Sequence, residues 1–210
     1  MVITKEHALF AFDCLVASYQ QRAPLRPEFE NNKYPVFVSW HKNGQSQSGE
    51  EPELELRGCI GNFKAEPLIK NLSDYAVISA RRDSRFEEIA YHELKDMYCT
   101  VSLLLGFEDA EDYLDWEIGK HGLRLKYTLD NGKVLRSTYL PEIAKENFWT
   151  KEETIRNLLR KAGFHWAIGQ HVYDAVELTR YRSEKVRCNF AEWKTWRDKK
   201  VAVDDRINGF

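Results

Sequence analysis

The run Leu56-Arg57-Gly58-Cys59-Ile60-Gly61, inside the stretch 53–63, constrains this chain more than any other segment. Read as a strand, its side chains alternate between two faces. Leu54, Leu56 and Ile60, with Gly58 between them, fall on one face and read as core. Glu55, Arg57 and Cys59 fall on the other, which ends at Gly61. The two glycines permit close backbone approach or positive φ where other residues clash. The outward face sets a thiol two residues from a guanidinium. A nearby cation stabilises the thiolate, which is the reactive form of cysteine. Cys59 and Arg57 are therefore the first candidates for catalysis or ligand contact, with Gly58 and Gly61 as backbone that a ligand can approach.

A chain of 210 residues holds one large domain or two small lobes. With 43% hydrophobic and 30% charged residues it reads as globular rather than disordered. A net charge of −2 argues against a general nucleic-acid or acidic-membrane binder. No apolar run reaches the length of a membrane span, and no signal peptide is evident. Cys14, Cys59, Cys99 and Cys188 are far apart and form no Cys-x-x-Cys pair. That pattern fits free thiols in a reducing, intracellular compartment, cytoplasmic or nuclear. His165 and His171 match no common ligand spacing, so neither a metal nor another cofactor is expected.

The remaining elements follow from spacing. Thr4 caps a helix to about Gln20, well buried because Phe10 and Ala11 widen its apolar stripe. Residues 34–40 read as a strand covered on both faces, pairing with 54–60 across a polar loop at 41–52. Pro67 opens a helix to about Arg81, and 97–105 is a buried strand ended by Gly106. Residues 107–119 are acidic and aromatic, with Tyr113, Leu114 and Trp116 as anchors. Asn131-Gly132 marks a hairpin, Thr150 to Glu153 a capping box, and 174–181 a strand that turns out at 182–185. Beyond Trp193 the chain reads as polar; residues 1–195 are taken as one domain and 196–210 as a tail. Interspersed helices and hairpins favour α+β, with mixed or antiparallel sheets, over a doubly wound fold.

Several segments together resemble the AMMECR domain family, the eukaryotic members in particular. Leu-Arg-Gly-Cys-Ile-Gly at 56–61 looks like its signature. Asp83-x-Arg85-Phe86, Val101 to Leu104, Gly119-x-His121-Gly122, Tyr139 to Glu146 and Leu178 to Lys185 are similar in order and spacing. Glu87 stands where the family often has proline, and the loop at 41–52 is longer than in microbial relatives. The resemblance implies an α+β fold with a larger and a smaller lobe separated by a cleft, and the signature near that cleft. It implies no activity, because the family's biochemical role is unsettled.

Three functions compete. The first is an enzyme or small-ligand protein. There Cys59 is nucleophile or contact, Arg57 holds an anion or lowers the thiol pKa, and His121 is a general base. Gly58, Gly61, Asp83, Arg85 and Glu142 complete the ligand set. Binding without covalent chemistry is favoured, since no paired base is evident from spacing. The bland alternative is that Cys59 packs as a small residue and Arg57 pairs with Glu55 or Asp83. The second is a protein–protein adaptor using the aromatic stretch 113–116 and the basic stretch 180–187. The third, RNA binding through Arg81, Arg82, Arg85 and 180–187, ranks last without a basic surplus. The Gly-x-x-Gly of the signature ends a strand, unlike the loop that joins two helices in a KH domain.

Overall fold

The computed structural model describes residues 2–44 and 54–208. Most of the polar loop expected at 41–52 lies outside the described residues. The chain order is α1 (Lys5–Tyr19), β1 (Lys33–Tyr34), β2 (Val36–Asn43), β3 (Leu54–Gly61), β4 (Glu66–Pro67) and α2 (Leu68–Arg81). A short 3-10 segment, Tyr91–Asp96, leads into β5 (Met97–Asp109), β6 (Gly122–Thr128) and β7 (Val134–Tyr139). Then come α3 (Pro141–Glu146), α4 (Lys151–Lys161), α5 (Gln170–Asp174), β8 (Glu177–Asn189) and α6 (Phe190–Asn208). The α+β class and its antiparallel pairing are as expected. Two compact units form, a larger one of Met1–Leu103 with Glu184–Phe210 and a smaller one of Leu104–Ser183. Strands β5 and β8 contribute residues to both.

In the larger unit the sheet order is β3-β2-β5-β8. α1 is buried on all sides from His7 to Ala17, as its broad apolar stripe demands. Asp13 within it is fully buried but satisfied: Arg22 donates to both carboxylate oxygens, and Leu25 N and Trp193 Nε1 donate as well. Trp40 is fully buried beneath α2, where its Nε1 donates to Ala76 O at 3.1 Å and Ser79 Oγ at 3.0 Å. Gly58 is the reason α2 can lie so close to β3. A Cβ there would stand 2.1 Å from Ser79 O. At Gly61 it would stand 2.1 Å from Val36 O and 2.6 Å from Phe37 Cα. Both glycines of the signature are thus demanded by close backbone approach.

In the smaller unit β5, β8, β6 and β7 are consecutive neighbours. The β6–β7 hairpin forms at Asn131-Gly132, with Gly132 at φ +80° and Thr128 opposite Val134. α4 starts at the expected capping box: Glu153 N donates to Thr150 Oγ1 and Thr150 N to Glu153 Oε2. Its Ile155, Leu158 and Leu159 join Leu123, Leu125 and Leu135 in the core.

Three expectations change. β5 continues past Gly106, which takes φ +60° inside the strand instead of ending it. β8 runs unbroken through 182–185. The residues read as a polar tail are helical to Asn208, and Lys200 reaches Glu6 and Glu28 from α6. Among the described residues no helix is long and apolar enough to cross a membrane.

Candidate functional site

β2 and β3 pair antiparallel as expected, but the faces of β3 do not. Val38 opposes Ile60 and Trp40 opposes Gly58, whereas the next pair is His41 with Leu56. Arg57 is therefore an extra residue, a β-bulge, and the alternation breaks there. Directly opposed side chains share a face. Ile60 and Gly58 lie on the core face with Val38 and Trp40. Leu56, read as core from the sequence, lies with His41, Ser39 and Cys59 on the other.

The bulge also separates Arg57 from the thiol chemistry assigned to it. Its Nε and Nη2 each donate to a carboxylate oxygen of Glu93 at 3.2 Å. Nη1 donates to Glu87 O, and Nη2 to Glu88 O at 3.3 Å. Its partners are thus neither Glu55 nor Asp83. A bidentate guanidinium tied to backbone carbonyls staples β3 to the segment 87–93.

The cation beside Cys59 is Arg85. Asp83 Oδ2 accepts from Cys59 N at 2.8 Å, and Arg85 Nη2 donates to Cys59 O at 3.2 Å. Arg85 Nε and Nη2 also grip Asp83, at 2.9 and 2.7 Å. Asp83 is buried, and the Arg85 guanidinium holds its carboxyl down at about 2. β3 is the edge strand of this sheet, and Asp83 and Arg85 take up its free amide and carbonyl at Cys59. The sequence Asp-x-Arg-Phe is a clamp on the signature strand.

Because the Cys59 amide and carbonyl point away from β2, Cys59 and Ser39 form the narrow kind of antiparallel pair, in which side chains approach most closely. Ser39 Oγ accordingly donates to Cys59 Sγ at 2.9 Å. A hydroxyl donating to sulfur favours the thiolate. All four cysteines are free. Cys14, Cys99 and Cys188 are buried, and burial pushes Cys14 up to about 12 and raises the other two as well. Cys59 alone is half-exposed.

The same face continues onto β5, where Ser102, Thr100 and Tyr98 oppose Phe37, Ser39 and His41. From β8, Arg187 Nε donates to Thr100 Oγ1 at 3.1 Å. His41 is the diagonal neighbour of Cys59, within reach of a long side chain. Its Nδ1 is buried with no hydrogen-bond partner among the described residues. Burial, with Arg187 and Lys185 nearby, pushes His41 down to about 4, so the imidazole is neutral at pH 7. Ser39, His41, Thr100 and Ser102 escaped the sequence reading, and Arg187 entered it only as the end of the basic stretch 180–187. The signal was present in the period-two alternation of 36–41 and 98–103, but the polar half was passed over.

The structure thus gathers Arg57, Gly58, Cys59, Gly61, Asp83 and Arg85 in the larger unit. His121 and Glu142 belong to the smaller one. His121 Nδ1 accepts from Glu117 N at 3.0 Å, closing the turn into β6. Three side chains of the proposed adaptor surfaces are engaged within the smaller unit. Trp116 is buried in the core of the smaller unit, and Tyr113 stacks on Tyr173. Arg180 pairs with Glu108 and Asp115. Among the described residues no cluster of three or more His, Cys, Asp or Glu could hold a metal.

The AMMECR1 family model matches residues 9–186. An uncharacterized protein of Arabidopsis thaliana is 42% identical, covering 98% of this chain and 94% of the relative. One from Schizosaccharomyces pombe is 36% identical over 90% of this chain and 94% of its own. The crystal structure of an uncharacterized Pyrococcus horikoshii protein shares the fold, with a TM-score of 0.66 at 20% identity over 89% of this chain and 94% of that one.

Proposed function

The chain belongs to the AMMECR1 family, and on that premise we propose that the outer face of β3-β2-β5 in the larger unit binds a small anionic ligand. Arg187 and Lys185 supply positive charge, the half-buried Ser39 hydroxyl supplies a hydrogen bond beside the more deeply set Thr100 and Ser102, and Cys59 contacts the bound molecule. One observation carries this reading: His41 Nδ1 is buried on that face without a partner among the described residues. An unbonded buried nitrogen costs about 1–3 kcal/mol, a loss that a bound ligand would recover. The role moves from Arg57, whose guanidinium is committed to Glu93, to Arg187.

Metabolite capture tests it. Purified protein is incubated with a cell extract, washed, and its retained compounds identified by mass spectrometry. Wild type should retain an anion that folded Arg187→Ala and Cys59→Ala proteins lose. Identical retention by all three would reject the site.

Nucleophilic catalysis is the second reading, supported by the Ser39–Cys59 contact and the diagonal position of His41. Alkylation rate against pH, in wild type and His41→Gln, decides it. Faster alkylation at neutral pH in wild type than in the variant, as a neutral imidazole base gives, supports catalysis; an ordinary thiol profile in both removes it.

A further inference from the structure

A cavity of about 380 Å³ opens at the β6–β7 turn of the smaller unit. Tyr127, Phe164 and Trp166 wall it, with Asp130 from the turn and His171 from α5. Phe164 meets Tyr127 at a centroid distance of 5.1 Å and 77°, and meets Trp166 at 5.3 Å and 68°. Two steep crossings about one ring make a corner rather than a stack. A corner presents ring faces on more than one side of a concavity, where a stack would hide them. Arg160 Nη1 donates to Phe164 O at 2.8 Å and Trp166 O at 2.9 Å, which fixes the backbone carrying both rings. Trp166 is nevertheless 58% exposed, an indole set in place without being packed away.

The charge of the lining is one-sided. Asp130 is its only acid, and no lysine or arginine lines it. Among the described residues the Asp130 carboxylate makes no hydrogen bond or ion pair. An anion has nothing to hold it here. A primary ammonium would pair with Asp130 but would keep further N–H groups to satisfy among ring faces. A quaternary ammonium has no N–H to satisfy and is drawn to the negative faces of aromatic rings, indole most strongly.

We propose that this cavity binds a quaternary ammonium headgroup of the choline type, held by the faces of Tyr127, Phe164 and Trp166 and by the charge of Asp130. The volume lies within the range of small-ligand sites, and the site is independent of the Cys59 face. The same headgroup occurs on free metabolites and on trimethylated lysine.

The test is an NMR titration of the full chain, following the Trp166 indole N–H at constant ionic strength. Choline chloride should shift that resonance saturably with a Kd of about 1–10 mM. The neutral isostere dimethylbutanol, with carbon in place of nitrogen, should bind about tenfold more weakly. By saturation-transfer NMR, Trp166→Ala should lose choline binding and Asp130→Asn should weaken it about threefold. A short trimethyl-lysine peptide separates the sources: tighter binding than choline makes the headgroup protein-borne, weaker binding makes it a free metabolite, and either upholds the chemistry. Equal binding of choline and its isostere, or no saturable shift up to about 100 mM choline, overturns the proposal. The choline-to-isostere comparison is made on wild type and does not depend on any variant folding.

Discussion

The strands of the larger unit carry two faces built from alternate residues of the same chain. On one, Val36, Val38, Trp40, Cys99, Val101 and Leu103 are fully buried. On the other stand Ser39, His41, Cys59, Thr100 and Ser102, with Thr100 and Ser102 almost as inaccessible. Each apolar side chain on the first face contributes roughly 1.5–3 kcal/mol by leaving water. Hydroxyls and an imidazole return little on burial, and cost when a group is left unbonded. The first face is what stability alone would select. The second gives stability up, and such local losses concentrate where a protein does its work.

Four changes test how separate the two faces are. The largest effect belongs to the core side. Gly58→Ala forces a Cβ against the Ser79 carbonyl and should cost about 3 kcal/mol in urea unfolding. A cost near zero would mean that α2 is not seated on β3 as described. Next is the clamp on the strand edge. The Asp83 carboxyl titrates at about 2 when folded, below its ordinary 3.8, so its contribution is full above about pH 4 and lost as pH falls through 2. Asp83→Asn should cost about 2 kcal/mol at neutral pH and flatten that acid limb.

His41 is smaller and of the opposite kind. As pH falls below 6.5 the unfolded chain binds a proton that folded His41 refuses until about 4. Wild type therefore loses stability across that window, by about 1–2 kcal/mol after screening. His41→Gln should remove this slope while leaving neutral-pH stability nearly unchanged; the slope that remains belongs to His7 and His121, both also held down by burial. An unaltered slope would mean that His41 is not buried beside Arg187 and Lys185. Smallest is Cys59→Ala, expected to change stability by under about 1 kcal/mol. It should nonetheless abolish thiol labelling of the native protein, because the other three cysteines are buried. Labelling that survives would place the accessible thiol elsewhere.

Legibility followed the range of the interactions. Helix starts at Thr4 and Thr150, the Asn131-Gly132 hairpin and the burial of α1 are written in residues a few positions apart, and were read correctly. The β2–β3 pairing was also within reach, because both strands show the alternation. The bulge at Arg57 was not. Its existence depends on how β3 registers against β2 and on Glu93 waiting for the displaced guanidinium. One extra residue exchanged the faces of Leu54 and Leu56. The helical character of residues 196–208 was missed for a similar reason: their polar composition hides the partners Glu6 and Glu28, far away in sequence.

The sequence by itself determined the class of fold, the family, the signature strand and the need for glycine within it, because alternation, turn chemistry and chain order are local properties. Only the tertiary structure decided which cation stands beside Cys59, which imidazole shares its face, and that Asp83 and Arg85 close the strand edge. Those choices depend on register, and register is settled by the packing of whole strands against one another rather than by the residues within any one of them.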